Sequence, residues 1–313
     1  MRSPTSEPSI VVLGAGGFVG RALLGLESRP AKLKAVARRL PAVKVPSPNG
    51  ITWLSIDLLE PASLQQHLEP GDVVINLVYM ADADEATNLR LIDGLVEACI
   101  SRGCARLVHC STAVVAGATT SSRIDEQTEC VPTTPYERAK LAIERRVLSA
   151  LRPGLDIGVL RPTAIVGAGG KNLHKLTTAL RAGNPFVNYL RACLFGRRPM
   201  HLVPVRDVAR ALVHLAILPD PLCGNVYIAS LDDSFDNTYE RVEAILRKHL
   251  GLSPRWMPRL LLPQGLLRFL QRLVGRTASD PARYYNSNKL RATRFTPDLP
   301  LDEAIREFAE SVT

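Results

Sequence analysis

The sequence of 313 residues predicts an α/β fold: a doubly wound parallel sheet with a smaller C-terminal lobe. Three observations carry this. Short apolar runs alternate with helical periodicity through the first half of the chain. Those runs are largely apolar rather than alternating, as strands covered by helices on both faces are. The first of them ends in a glycine cluster that leads straight into a helical pattern.

The elements follow in order. SIVVLG (9–14) reads as a strand and FVGRALLGLES as a helix. KLKAVA (32–37), ITWLSI (51–56) and DVVINLV (72–78) read as the next three strands, with a helix at 61–68. Apolar spacing at Leu89, Ile92, Leu95, Val96 and Cys99 predicts a helix over 84–102. ARLVHCS (105–111) and LDIGVLR (155–161) are strands on either side of a helix at 134–151. Beyond it, 203–218 reads as strand then helix, GNVYIAS (224–230) as strand and 239–251 as helix. We expect a dinucleotide-binding domain over 1–167 and a mainly substrate-binding lobe over 168–313, with 201–230 returning to the first domain.

Composition narrows the class. Hydrophobic residues make up 46% of the chain, which excludes a disordered one. No apolar run reaches the ~18–20 residues of a membrane span. The polar start MRSPTSEPS lacks the apolar core of a signal peptide, so a cytoplasmic protein is expected. The six cysteines are scattered, without C-x-x-C or zinc spacing, and predict buried reduced thiols and no metal. A net charge of +9 suits an anionic partner. The basic residues do not interleave with aromatics, so a phosphorylated small molecule is expected and nucleic acid is not.

Gly14, Gly17 and Gly20 form G-x-x-G-x-x-G between strand and helix. Gly14 permits the tight turn, Gly17 lets backbone approach a pyrophosphate, and Gly20 lets the helix lie close to the sheet. This context predicts a Rossmann-like dinucleotide site. An acid near the end of the second strand would hold the ribose 2′-hydroxyl of NAD. Between Glu27 and Asp57 the sequence has no acid, and the second strand runs into Arg38 and Arg39. Arginine there can pair with a 2′-phosphate, which favours NADP over NAD; the bland alternative is a solvated basic turn. Asp57 either caps the adenine region or starts a turn.

Tyr136 and Lys140 stand four apart at the start of a helix, on one face. The preceding strand runs into Cys110, Ser111 and Thr112, where a parallel sheet has its binding crevice. Carbonyl reduction by a nicotinamide needs a hydride at carbon and a proton at oxygen. A lysine ammonium beside a phenol lowers its pKa, so Tyr136 is expected as the general acid or base. Thr112 would hydrogen-bond the same substrate oxygen, and Lys140 would also reach the nicotinamide ribose.

These motifs together resemble the extended short-chain dehydrogenase/reductases, the NAD-dependent epimerase/dehydratase group. HCSTAVVAG (109–117), LRPTAIVG (160–167) and HLVPVRDVARAL (201–212) are similar to further family stretches, and Asn88 matches the family's asparagine in the fourth helix. The resemblance is strongest through about residue 230 and implies that Thr112, Tyr136 and Lys140 are catalytic. It also implies a homodimer through helices 84–102 and 134–151. The family's dehydratases carry an Asp-Glu pair after the catalytic threonine; Ala113 and Val114 stand there instead. GAGGKNLHKL (167–176) is similar to the segment that places an asparagine near a substrate diphosphate, which makes Asn172 a candidate, with a helix cap as the alternative. Arg198 is a second candidate, although the family's arginine lies nearer to Met200 or His201.

The expected function is NADP-linked reduction of a 4-keto nucleotide sugar in polysaccharide biosynthesis. Alternatives are a nucleotide-sugar 4-epimerase that recycles NAD, a reductase of an apolar ketone, and a non-catalytic NADP sensor. The basic, apolar stretch 254–276 is expected to cover substrate, with an anionic membrane surface as the alternative.

Overall fold

The structure, a computed structural model, describes residues 9–28, 32–39, 50–254 and 283–312. The stretch 254–276 therefore lies outside the described residues after Pro254.

A seven-stranded sheet organises the first compact unit, which comprises 1–117, 132–161 and 208–227. Its strands are β1 (Ile10–Leu13), β2 (Leu33–Ala37), β3 (Ile51–Ser55), β4 (Val73–Asn76), β5 (Arg106–Cys110), β7 (Asp156–Pro162) and β10 (Asn225–Ala229). Their order is β10-β7-β5-β4-β1-β2-β3, and the pairings from β3 through to β7 are parallel. The chain crosses over between β1 and β4, with Ile10 opposite both Leu33 and Val73. Such a switch point opens a crevice at the carboxyl ends of the strands.

The helices form where apolar spacing and caps agree. α1 (Phe18–Leu24) follows the glycine turn, and α2 (Pro61–Gln65) is shorter than the expected 61–68. In α3 (Glu85–Arg102), the Asp84 side chain accepts the Thr87 N–H at 2.8 Å, and Gly103 ends the helix at φ 68°. α4 (Pro135–Leu148) packs beside α3, and both cover one sheet face. There Leu91, Leu95 and Ala98 meet Leu107, Ile143 and Val147 in one buried cluster.

Gly14 holds φ 84°, and a Cβ on Gly20 would lie 2.5 Å from the Gly14 carbonyl oxygen and 2.6 Å from that of Ala15. Both obstacles are backbone, so the helix itself must move. Gly20→Ala is therefore expected to destabilise the chain by about 1–3 kcal/mol, reversing the usual helix preference for alanine. Thermal denaturation with and without NADPH checks this; an unchanged Tm and cofactor shift would refute the close-packing role.

The second compact unit comprises 118–131, 162–207 and 228–313. Residues 118–131 and 162–167 thus cluster away from the first unit, and only 208–227 of the expected return does cluster with it. Its short strands are β6 (Arg123–Ile124), β8 (Ala164–Val166), β9 (Leu202–Pro204) and β11 (Tyr284–Tyr285). They make two small parallel pairs, β6 with β11 and β8 with β9. Its helices include α5 (His174–Ala182), α6 (Pro185–Phe195) and α8 (Tyr239–His249), while α7 (Val205–Ile217) runs from this unit into the first. Leu180, Val242, Leu246 and Phe308 fill its core. Phe308 belongs to a last helix, Leu301–Ser311, whose buried positions Leu301, Ala304, Ile305, Phe308 and Ala309 follow the helical period.

Among the described residues, no helix is long and apolar enough to cross a membrane. No cluster of three metal-ligating side chains occurs among them either. The cysteines are free; Cys223 is exposed, against the expectation of general burial.

Candidate active site

The site grows from the carboxyl end of β5. Thr112 follows, buried, and caps a single 3-10 turn, Ala113–Ala116, by accepting the Val114 N–H at 3.4 Å. The helix that carries Tyr136 and Lys140 has its start fixed by the sequence T-P-Y-E. Thr134 accepts the Glu137 N–H at 3.2 Å, and Glu137 accepts the Thr134 N–H at 3.1 Å. Pro135 occupies the first helical position. This capping box puts Tyr136 in the first turn and Lys140 one turn on.

Lys140 is buried, and its Nζ donates to the Cys110 carbonyl at 3.0 Å. The ammonium also lies 5.4 Å from the centre of the Tyr79 ring. Tyr79 in turn meets Tyr136 edge to face, at 5.3 Å and 78°. Tyr79, absent from the sequence-based candidates, thus touches both members of the pair. It hangs from the loop after β4, which Asn88 clamps. The Asn88 amide donates to the carbonyls of Met80 and Asp84 and accepts the Met80 N–H, each at 3.0 Å. A lone tyrosine closing the aliphatic run INLVY was the available signal.

The electrostatics correct one expectation. The sequence argument has Lys140 pulling the Tyr136 phenol down. Instead burial holds that phenol above its ordinary pKa, with Tyr79 and Cys110 adding to the rise and the hydrogen bond with Thr112 opposing it. The ammonium is directed at the Cys110 carbonyl and the Tyr79 ring. Burial lowers the Lys140 pKa, opposed by Cys110 and Glu144. Burial also pushes the Cys110 thiol up to about 11, so it is no ready nucleophile. His109, one residue before, is buried and kept well below its usual pKa by burial and then by Lys140; Asn76 holds its Nδ1 at 3.0 Å.

A cleft of about 710 Å³ opens beside this cluster, lined by Gly14, Gly17, Arg38, Asp57 and Tyr79 among others. It fits a dinucleotide. The turn after β1 leaves backbone where a Cβ would otherwise stand, and a Cβ on Gly17 would sit 3.2 Å from the Gly14 oxygen. Arg38 and Arg39 are exposed at the end of β2. Asp57 lines the cleft and also starts a turn, its carboxylate accepting the Leu59 N–H at 3.0 Å.

Asn172 and Arg198 belong to the second unit. Asn172 is exposed and donates to the Ile165 carbonyl at 2.7 Å; α5 begins after Leu173 without a side-chain cap, so Asn172 ties a loop and caps no helix. Arg198 is half-buried in the turn after α6, where its carbonyl accepts the Tyr239 N–H.

Comparison with known proteins identifies the family. Residues 10–227 match the model of the NAD dependent epimerase/dehydratase family. The chain is 30% identical over 238 residues to 2-alkyl-3-oxoalkanoate reductase of Stenotrophomonas maltophilia, covering 71% of this chain and 70% of that protein. It is 28% identical over 227 residues to dTDP-4-dehydrorhamnose reductase of Mycobacterium tuberculosis, covering 66% of this chain and 65% of that one. In fold it is similar to RMD from Pseudomonas aeruginosa complexed with NADPH. The TM-score is 0.65 at 21% identity, over 97% of this chain and 99% of that one. The chain is an enzyme that uses a nicotinamide cofactor and belongs to the NAD-dependent epimerase/dehydratase family.

Proposed function

We propose that the protein reduces the carbonyl of a 4-keto nucleotide sugar with NADPH, and that Thr112, Tyr136 and Lys140 carry the chemistry. The observation that carries this reading is a glycine-lined cleft with Arg38 and Tyr79 on its wall, where Tyr79 touches both Tyr136 and Lys140 beyond the end of β5. A phenol that retains its proton is an acid suited to the reductive direction. The nicotinamide supplies the hydride when bound. Tyr136 Oη gives its proton to the substrate oxygen. The Thr112 hydroxyl donates a second hydrogen bond to that oxygen and stabilises its developing charge. Lys140 holds the Tyr79 ring and, through it, the orientation of the phenol. Ala113 and Val114 supply no acid or base for dehydration. Asn172 and Arg198 remain candidates for the diphosphate, Asp57 for the adenosine end, and α3 with α4 for a homodimer contact.

Arg38 would pair with the 2′-phosphate of NADPH. Arg38→Ala is expected to raise the KM for NADPH roughly tenfold and leave that for NADH unchanged, the loss of one charge-assisted hydrogen bond. Steady-state kinetics with both cofactors decides it, and equal effects would remove Arg38 from the site.

A second reading, reduction of an apolar keto acid, is favoured by the identity to 2-alkyl-3-oxoalkanoate reductase. NADPH oxidation followed with a dTDP-4-keto-6-deoxy sugar and with a 2-alkyl-3-oxoalkanoate separates the two. Tightly held NAD(H) with no net cofactor turnover would overturn both in favour of an epimerase.

A further inference from the structure

In the second unit, α6 presents its apolar side chains to solvent. Asn184 caps this helix, accepting the Phe186 N–H at 2.8 Å and the Val187 N–H at 3.4 Å, and Pro185 takes the first helical position. Asn188, Tyr189, Ala192 and Cys193 are buried, and the Asn188 amide donates to the Ala179 carbonyl of α5 at 2.6 Å. The side left over carries Phe186, Val187 and Leu190, which are 63%, 41% and 44% exposed. Residues three and four apart share a helix face, so these three form one ridge, and half-buried Leu194 extends it by a turn. A helix at a protein surface ordinarily turns polar residues outward. Among the described residues no other helix carries three exposed large apolar side chains.

The charge along this part of the chain has one sign. Between Asp156 and Asp207 the sequence has no acid. Arg181, Arg191 and Arg197 are exposed, at the end of α5, on α6 and just after it. Arg191 stands four positions after Val187, on the flank of the ridge, and its guanidinium donates to the Asn188 side-chain oxygen at 3.3 Å. The neighbouring helix α8 contributes Glu240 and Glu243. Glu243 is buried and paired with Arg247 at 2.8 Å, and Glu240 is half-buried.

We propose that α6 docks on an anionic lipid surface. Phe186, Val187 and Leu190 enter the boundary between headgroups and acyl chains, and Arg191 with its flanking arginines meets the lipid phosphates. Such a surface rewards apolar and cationic groups set side by side on one helix, and α6 presents both. Other occupants fit less well. A two-fold contact with a second copy would set this patch against itself, arginine facing arginine without an acid between them. The chain's own stretch 254–276 holds five arginines and no acid, so it meets the same repulsion. A nucleic acid rewards aromatic stacking platforms, which aliphatic Val187 and Leu190 do not supply. The inference is independent of which carbonyl the enzyme reduces.

The test sediments the full chain with vesicles of phosphatidylcholine alone and of phosphatidylcholine mixed with phosphatidylglycerol. The expected result is roughly a tenfold or greater preference for the anionic vesicles. Phe186→Ser with Leu190→Ser should lower that binding about tenfold, and Arg191→Gln about fivefold. Hydrogen exchange of the wild-type chain should slow at 185–195 on the anionic vesicles and not on phosphatidylcholine. Should the double variant fold poorly, that exchange measurement decides alone. Equal binding to both vesicles, binding untouched by the double substitution, or protection that misses 185–195 would overturn the proposal. A dimer that the double substitution dissolves would also overturn it, by assigning the ridge to a second copy.

Discussion

Tyr136→Phe is expected to lower kcat by about 10³-fold while leaving NADPH affinity within roughly twofold. Phenylalanine preserves the ring and so the edge-to-face contact with Tyr79 at 5.3 Å. Only the hydroxyl goes, and with it the proton for the substrate oxygen. Single-turnover kinetics, with cofactor binding measured by fluorescence, separates the chemical step from binding. Retained turnover would remove Tyr136 from the mechanism. The raised phenol pKa also sets a direction with pH. Reduction draws on the protonated phenol and should hold its rate well into the alkaline range. The reverse oxidation draws on the phenolate and should climb with pH over the same interval.

Arg161→Met is expected to cost about 3–5 kcal/mol of stability. Arg161, next to last in β7, reaches Glu144 on α4 with two hydrogen bonds, at 2.5 and 3.0 Å. Glu144 is 1% exposed and Arg161 7%. Removing the guanidinium strands a carboxylate in the core, and that penalty exceeds the net value of the intact pair. Urea denaturation measures it. Replacing both residues, Arg161→Met with Glu144→Leu, should recover most of the loss, because neither half of the pair is then left alone in the core. A single variant as stable as the wild type would mean that water or another cation reaches Glu144.

Much of the first unit was legible because buried parallel strands are written as continuous apolar runs, and IVVL, LKAVA and VVIN need no partner to be recognised. In the second unit the helix at 239–251 was legible, and so were the strand and helix at 203–218 that lead out of it, while β6, β8 and β11, two or three residues long, are too short for any periodicity. The helix Leu301–Ser311 and the T-P-Y-E capping box carry signals in the sequence, but neither was among the expectations drawn from it. Other features depend on distance in space. Glu144 and Arg161 are seventeen positions apart in the chain, and neither residue announces the other. The spacing of Tyr136 and Lys140 put the two on one turn of a helix and led to a lowered phenol pKa, whereas burial raises it. Spacing reports which face a lysine occupies, whereas the pKa depends on where its ammonium points and how dry the phenol is.

The cap of α4 has one more consequence. Tyr136 rides on the first turn of that helix, so the phenol is aligned only while that turn is closed. If Tyr136 is the acid proposed above, Thr134 and Glu137, which make the closure, set how often it is presented. The observed rate is then the intrinsic rate multiplied by a local folding equilibrium. Warming works on the two factors in opposite senses, so the enzyme's thermal optimum belongs partly to four letters at a helix end and not to the reaction alone.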